Sequence, residues 1–249
     1  MNKWISGKII QNKKWTESLF SIIVQAPINA FLSGQFTKLA MIDIHGKKIQ
    51  RAYSYVNASH NTNLEFYITL VQTGLLTNYL YKKKINDSII INQNSFGFFT
   101  INEIQHCEIL WMIATGTGIG PYLSILQEEK WIHKFYKIVL IHSVRYKHDL
   151  IYLPVIHKLQ KKYKNRIILE TIVTRDTSKQ FLHDRIPTLI NNHTLEKKIK
   201  LDINIHTSHV MLCGNPNMIK ETQFLLQEKR HLTKNLRKKP GHITTENYW

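Results

Sequence analysis

Five short stretches of this 249-residue chain combine residue types that hold phosphates and flat rings. Thr115-Gly116-Thr117-Gly118-Ile119-Gly120-Pro121 follows the apolar run Ile109–Ala114. Glycines let main-chain N–H groups approach a diphosphate, and Pro121 suits the first position of a helix. Pro121 also takes the place of the third glycine in G-x-G-x-x-G, a pattern common by chance, yet a strand before and a helix after favour nucleotide binding over a structural turn. Val144-Arg145 and Thr174-Arg175 end two successive strand-like runs, and Arg185 follows; no acidic residue stands there to bind a ribose 2′-OH. Arginines at those places suit a 2′-phosphate, hence NADP rather than NAD, although any one of them also reads as a surface arginine. Cys213-Gly214-Asn215-Pro216-Asn217 closes the last apolar run, with Asn215 placed to cap a helix that starts at Pro216. Near the other end, Arg51-Ala52-Tyr53-Ser54-Tyr55 puts Arg51 and Tyr53 on one strand face. An arginine beside a phenol suits a flat ring with a phosphate tail; a cross-strand aromatic pair with a solvated arginine is the plainer reading of the two residues alone. Thr73-Gly74-Leu75-Leu76-Thr77 feeds a helix whose first N–H groups would seat a pyrophosphate, or else is simply a helix capped by Thr77.

The elements that must position these residues change character midway. Ile5–Gln11, Leu19–Gln25, Gln35–Asp43, Ile49–Val56 and Leu64–Val71 are β-branched or aromatic runs between turn residues, with one helix predicted over Thr77–Lys84. They point to an antiparallel barrel or sandwich. From residue 109 strands alternate with helices: Ile109–Ala114, Lys137–Ser143, Arg166–Val173 and His209–Cys213 against Pro121–Lys130, Leu153–Tyr163, Ile186–Asn191 and Pro216–Lys229. That rhythm makes βαβ units and a doubly wound parallel sheet. The fold class expected is β followed by α/β, in two domains of residues 1–101 and 102–249.

Composition limits the rest. Hydrophobic content of 43% with 20% charged residues is that of a globular chain, not a disordered or collagen-like one. No apolar run is long enough to span a membrane, and the start Met-Asn-Lys-Trp lacks an export signal. Cys107 and Cys213 read as free thiols in a reducing cytoplasm. The net charge of +17 favours acidic partners, although an Ile-, Asn- and Lys-rich composition also follows from codon bias. Lys229, Arg230, Lys234, Arg237, Lys238 and Lys239 make one candidate patch. A nucleic-acid binder is the rival from another class, but no helix-turn-helix, RNP or zinc spacing supports it. His206 and His209, or His142 and His148, lack a completing ligand spacing, so no metal is expected.

Taken in order, these motifs resemble the ferredoxin–NADP⁺ reductase family, in its short bacterial flavodoxin/ferredoxin branch. The likeness also takes in His209-Val210-Met211-Leu212-Cys213 and the tail Pro240-Gly241-His242…Glu246-Asn247-Tyr248-Trp249. It implies an FAD-binding barrel, an NADP-binding α/β domain and electron transfer from NADPH, by hydride transfer to FAD N5, to an acidic ferredoxin or flavodoxin, in a cytoplasmic monomer with no nucleic-acid or membrane partner. By the same resemblance Arg51, Ala52, Tyr53 and Ser54, then Tyr67, Ile68 and Thr69, then Leu75, Leu76 and Thr77, and finally Thr117, Tyr248 and Trp249, hold FAD. Val144, Arg145, Thr174, Arg175 and Arg185, with Asn215, Pro216, Asn217 and Glu221, hold NADP. Ser54 and Glu246 are expected to modulate a proton at flavin N5, and Cys213 to shape the nicotinamide pocket. Three departures stand out: Leu70 and Leu75 where relatives often carry a polar residue and a lysine, and Asp184 where glycine is common, there expected to pair with Arg185. An oxygenase-type reductase component is the rival within enzymes, but two cysteines cannot build the iron–sulfur segment such proteins usually carry.

Overall fold

Short runs rich in branched and aromatic side chains draw the first hundred residues into antiparallel strands. In the computed structural model, which describes residues 3–248, they are β1 (Trp4–Lys14), β2 (Leu19–Gln25), β3 (Phe36–Ile42), β4 (Lys48–Ser54) and β5 (Leu64–Thr69), followed by α1 (Leu75–Lys82) and β6 (Ser88–Asn92). Their order in the sheet is β4-β3-β6-β1-β2-β5. A bridge between Tyr55 and Phe66, with the Val56 N–H donating to the Glu65 carbonyl at 2.9 Å, joins the two outer strands and closes the barrel. Ile9, Phe20, Ile22, Leu39, Phe66 and Ile91 fill its interior without exposure. Residues up to Thr100 form this first unit together with Gly120–Glu128, which contains α2 (Gly120–Leu126).

The second unit contains Ile101–Ile119 and the residues from Glu129 onward. It is built from β7 (Ile109–Thr115), the one-turn α3 (Glu129–Ile132), β8 (Lys137–Val144), α4 (Leu153–Lys162), β9 (Ile167–Val173), α5 (Ile186–Asn191), α6 (Thr194–Ile199), β10 (Ser208–Gly214), α7 (Pro216–Arg230) and β11 (Ile243–Asn247). The five strands are parallel in the order β11-β10-β7-β8-β9. Nearly every residue of β7, β8 and β10 is buried. Strands covered on both faces need such unbroken apolar runs. The chain moves outward from β7 through β8 and β9, then returns to the other side of β7 as β10. Strand order therefore reverses between β7 and β10, and the carboxyl ends of those two strands frame the crevice where open α/β sheets bind ligands.

Several elements differ from the sequence expectation. The barrel has a sixth strand, β6, and α6 was not foreseen. The helix expected over Pro121–Lys130 stops at Leu126 and resumes only for Glu129–Ile132. The glycine turn after β7 is a 3-10 turn over Gly116–Ile119. The tail contains a strand that the sequence reading did not assign: β11 pairs along β10 with Cys213 opposite Glu246 and Gly214 opposite Asn247. Among the described residues no helix is long and apolar enough to cross a membrane.

Candidate functional site

In the first unit the candidate residues gather around β4 and the start of α1, which packs against β3 and β4. Tyr53 is half-buried against the barrel cluster, while Arg51 is exposed and donates to the Gln50 carbonyl at 2.8 Å. Burial pushes the Tyr53 phenol well above its ordinary range, and the nearby Arg51 guanidinium offsets this only in part. The phenol therefore stays neutral and offers a ring face. Ala52 is exposed and Ser54 buried. On β5, Ile68 belongs to the barrel core and can offer a ligand only its main chain, whereas Tyr67 is buried and Thr69 half-buried.

The start of α1 corrects the expected cap. The N-cap residue is Gly74, which has no side chain to cap with, and the helix begins at Leu75. The Thr77 hydroxyl instead donates to the Val71 and Gly74 carbonyls, both at 3.2 Å, and Asn78 Nδ2 donates to the carbonyls of Val71, Gln72 and Gly74 at 2.9–3.0 Å. The loop's carbonyls are thus occupied. The N–H groups of Leu75, Leu76 and Thr77 have no partner among the described residues, and no acidic residue lies in the first turn. This is a fitting seat for a diphosphate. Leu75 is 63% exposed, and Leu76 is anchored in the barrel core.

In the second unit the reversal of strand order brings two loops together. The Asn215 N–H donates to Thr115 Oγ1 at 2.8 Å, tying the loop after β10 to the end of β7. Asn215 then caps α7, its Oδ1 accepting from the N–H groups of Asn217 (2.9 Å) and Met218 (3.2 Å), with Pro216 as first helical residue. Gly116, at φ +53°, has no atom within 4 Å of where a Cβ would stand. Its carbonyl lies 3.0 Å from Nε2 of the fully buried His142. Burial depresses that imidazole to about 4, so the ring is neutral near pH 7 and donates its Nε2–H to the carbonyl. The pinned carbonyl beside an open glycine leaves a cradle of the kind a phosphate-bearing cofactor needs. Thr117 is buried within this turn.

At the end of β10, Cys213 is fully buried beside Glu246, and its thiol hydrogen-bonds with Tyr248. Burial, reinforced by the Glu246 carboxylate, holds it well above the usual thiol range. The sulfur is a packing group, not a nucleophile. Tyr248 is fixed further by its N–H, which donates to the Gly214 carbonyl at 2.9 Å. Trp249 lies outside the described residues.

The adenosine-phosphate candidates fall into two pairs. Arg145 and Arg175 leave the adjacent strand ends of β8 and β9, joined by the Arg175 N–H to the Arg145 carbonyl at 2.9 Å. Val144 is buried and accepts at its carbonyl from the N–H and hydroxyl of Thr174, at 3.0 and 3.3 Å. Arg175 donates to the Tyr146 hydroxyl at 3.3 Å; neither it nor Arg145 has a carboxylate partner among the described residues. Arg185 pairs with Glu221 of α7 at 3.0 Å, not with Asp184 as expected. The partner lies on a helix packed against α5, which a reading of adjacent residues does not reach.

Of the basic run near the end, Arg230 is committed to the buried Glu196 at 2.9 Å and Arg237 to Glu103 at 3.2 Å, so Lys234, Lys238 and Lys239 are its freest charges. Sequence reasoning missed Thr115 and His142 as loop anchors. His142 was weighed only for metal, although an imidazole amid an otherwise apolar strand signals a buried polar contact to satisfy. Among the described residues no cluster of three metal-ligating side chains exists.

Two family models match the chain: the oxidoreductase FAD-binding domain over residues 13–97 and the oxidoreductase NAD-binding domain over residues 112–223. A closed antiparallel barrel followed by a parallel sheet with a glycine-lined strand reversal defines a flavin- and nicotinamide-dependent oxidoreductase. The chain is 53% identical to the flavodoxin/ferredoxin–NADP reductase of Buchnera aphidicola subsp. Schizaphis graminum and 49% identical to that of Escherichia coli K12, in each case over 100% of both chains. The structure of a ferredoxin NADP⁺ reductase from Neisseria gonorrhoeae with bound FAD and NADP superimposes with a TM-score of 0.93 at 29% identity, again over 100% of both chains. The chain belongs to the flavodoxin/ferredoxin–NADP reductase family.

Proposed function

We propose that the protein carries electrons from NADPH, through FAD, to a ferredoxin or flavodoxin in the cytoplasm, acting as a monomer. The observation that carries this reading is the pair of loops meeting at the strand reversal, Gly116 on one and Cys213-Gly214-Asn215 on the other, in a chain about half identical from end to end to reductases of that name. Bound FAD supplies the conversion between a hydride from NADPH and single electrons for the carrier.

Residues 1–101 are the FAD domain and 102–249 the NADP domain in this reading. Arg51 and the open N–H groups of Leu75, Leu76 and Thr77 hold the FAD diphosphate. Tyr53 supplies a neutral ring to stack on, with Ala52, Tyr67, Ile68 and Thr69 alongside; Thr117, Tyr248 and Trp249 complete the flavin contacts. Arg145, Arg175 and Arg185 neutralise the NADP adenosine phosphates, assisted by Val144 and Thr174. Asn215, Pro216, Asn217 and Glu221 follow its ribose. Arg185 must exchange Glu221 for phosphate, an exposed pair that costs little to open. Cys213, held as a thiol, presents a small uncharged wall to the nicotinamide. Ser54 and Glu246 hold or move a proton at flavin N5. Two buried free cysteines suit a reducing compartment.

Purified protein should absorb near 450 nm and bleach on addition of NADPH, with NADH far less effective; a colourless protein that takes up no FAD would overturn the reading. Charge supplies a second check. An acidic carrier drawn by a net charge of +17 should be reduced more slowly as salt rises, while a neutral dye is not. Equal salt slopes for carrier and dye would remove electrostatic steering from the account.

A further inference from the structure

The segment joining β9 to α5 is tied to its neighbours at its two ends, by the Thr174 and Arg175 N–H groups to the Val144 and Arg145 carbonyls and by Arg185 to Glu221. Residues 174–185 contain no regular element, and the stretch Asp176-Thr177-Ser178-Lys179-Gln180 is polar. Between those ends its ties are local: the Ser178 N–H donates to Asp176 Oδ1 at 2.8 Å, the Gln180 and Phe181 N–H groups donate to the Ser178 hydroxyl and carbonyl at 3.3 and 3.2 Å, and Phe181 packs against Val144, Leu150 and Val173. Its base is closed by the bridge between Ile172 and Leu182, where the Val173 N–H donates to the Leu182 carbonyl at 2.9 Å.

One side chain spans what remains. His183 places Nδ1 2.8 Å from the Val173 carbonyl and Nε2 2.8 Å from the Ser178 carbonyl. Carbonyl oxygens only accept, so whichever ring nitrogen carries the proton donates to the carbonyl it faces, and the ring is seated between the two. The imidazole therefore braces the far side of the loop to the last carbonyl of β9. Arg175 lies two residues after Val173, and Arg185 two residues after His183.

We propose that His183 is a positioning residue for 2′-phosphate recognition: by cross-bracing the 174–185 loop it fixes the placement of Arg175 relative to Arg185. This rests on the reading of those arginines as the adenosine-phosphate site. The physical argument is one of preorganisation. Guanidinium groups on a loop that must first be ordered bind a phosphate less tightly than the same groups already held, and the loss falls on the probe that carries the phosphate.

The test is calorimetric binding of two probes, 2′-phospho-AMP and 5′-AMP, to the FAD-loaded protein and to three variants. His183→Ala should weaken 2′-phospho-AMP about tenfold while 5′-AMP changes by less than about twofold. His183→Gln, whose amide can take the place of Nε2 toward Ser178, should recover to within about threefold of the parent. Arg175→Ala separates the two levels of the claim. If Arg175→Ala leaves 2′-phospho-AMP binding unchanged, the arginine site itself is misassigned, and the inference falls with it. If Arg175→Ala weakens that probe and His183→Ala does not, the arginine site stands and the positioning role of His183 is overturned. If His183→Ala weakens both probes alike, or the glutamine recovers nothing, the histidine is a general structural support and the proposal fails.

Discussion

Gly214→Ala is expected to abolish the folded second unit at ordinary temperature or to lower its stability by at least about 3 kcal/mol. Gly214 sits at φ +124°, a region that side-chain-bearing residues rarely occupy. A Cβ there would stand 2.2 Å from Thr115 Oγ1 and 2.7 Å from the Thr115 carbonyl oxygen. The first of these atoms accepts the Asn215 N–H, so the threonine cannot swing away without breaking the tie between the two loops. The second is main chain of β7. Backbone strain and overpacking therefore add. Gly116→Ala is the informative contrast. Its φ of +53° is left-handed but tolerable, at a cost of about 1–2 kcal/mol, and its Cβ would meet nothing within 4 Å. That methyl enters the cradle proposed for the cofactor, so Gly116→Ala should fold and yet bind cofactor more weakly. Urea midpoints and NADPH titrations of the two variants separate the effects. Equal midpoints would show that the loops are not locked as Asn215 and Thr115 indicate.

Which parts of this molecule were legible in its sequence follows from where the energy lies. The central strands β7, β8 and β10 were readable because burial on both faces demands continuous apolar runs such as Ile109–Ala114. The Asn215-Pro216 helix start was readable because capping is local chemistry. By contrast β11, Ile-Thr-Thr-Glu-Asn, has one fully buried residue and a polar remainder, since an edge strand gains its place from pairing with β10 more than from its own composition. The start of α1 was misread because Thr77, a good capping residue by type, spends its hydroxyl on carbonyls of the preceding loop. Site residues divided similarly. The candidate glycines and strand-end arginines were singled out by position in the chain, whereas the Arg185–Glu221 pair and the His142 contact to Gly116 join residues 36 and 26 apart in the chain. Tertiary structure alone makes such neighbours.

The same buried imidazoles should make the second unit acid-labile well before carboxylates matter. His142 is wholly buried in β8, and His209, on β10, has Nε2 2.9 Å from Thr244 Oγ1 of β11. Burial depresses both to about 4, against about 6.5 for an exposed imidazole; the nearby His242 adds to the effect on His209. The sign follows from proton counting. Above pH 6.5 neither folded nor unfolded imidazoles are protonated, and stability from this source is complete and flat. Between 6.5 and 4 the unfolded chain takes up protons that the folded chain refuses, so stability falls as pH falls; below about 4 both forms are protonated and the loss levels off. At pH 5 each histidine accounts for about 2 kcal/mol, and the pair for about 4 kcal/mol, a large part of a typical domain's stability. Denaturant unfolding at pH 8, 6.5 and 5 should show little change across the first interval and a steep loss across the second. His142→Gln, which keeps an amide donor for the Gly116 carbonyl but cannot titrate, should remove about half of the acid loss. If that variant loses as much stability on acidification as the parent, His142 is not the group refusing the proton, and the pinned carbonyl at the cofactor cradle must be held some other way.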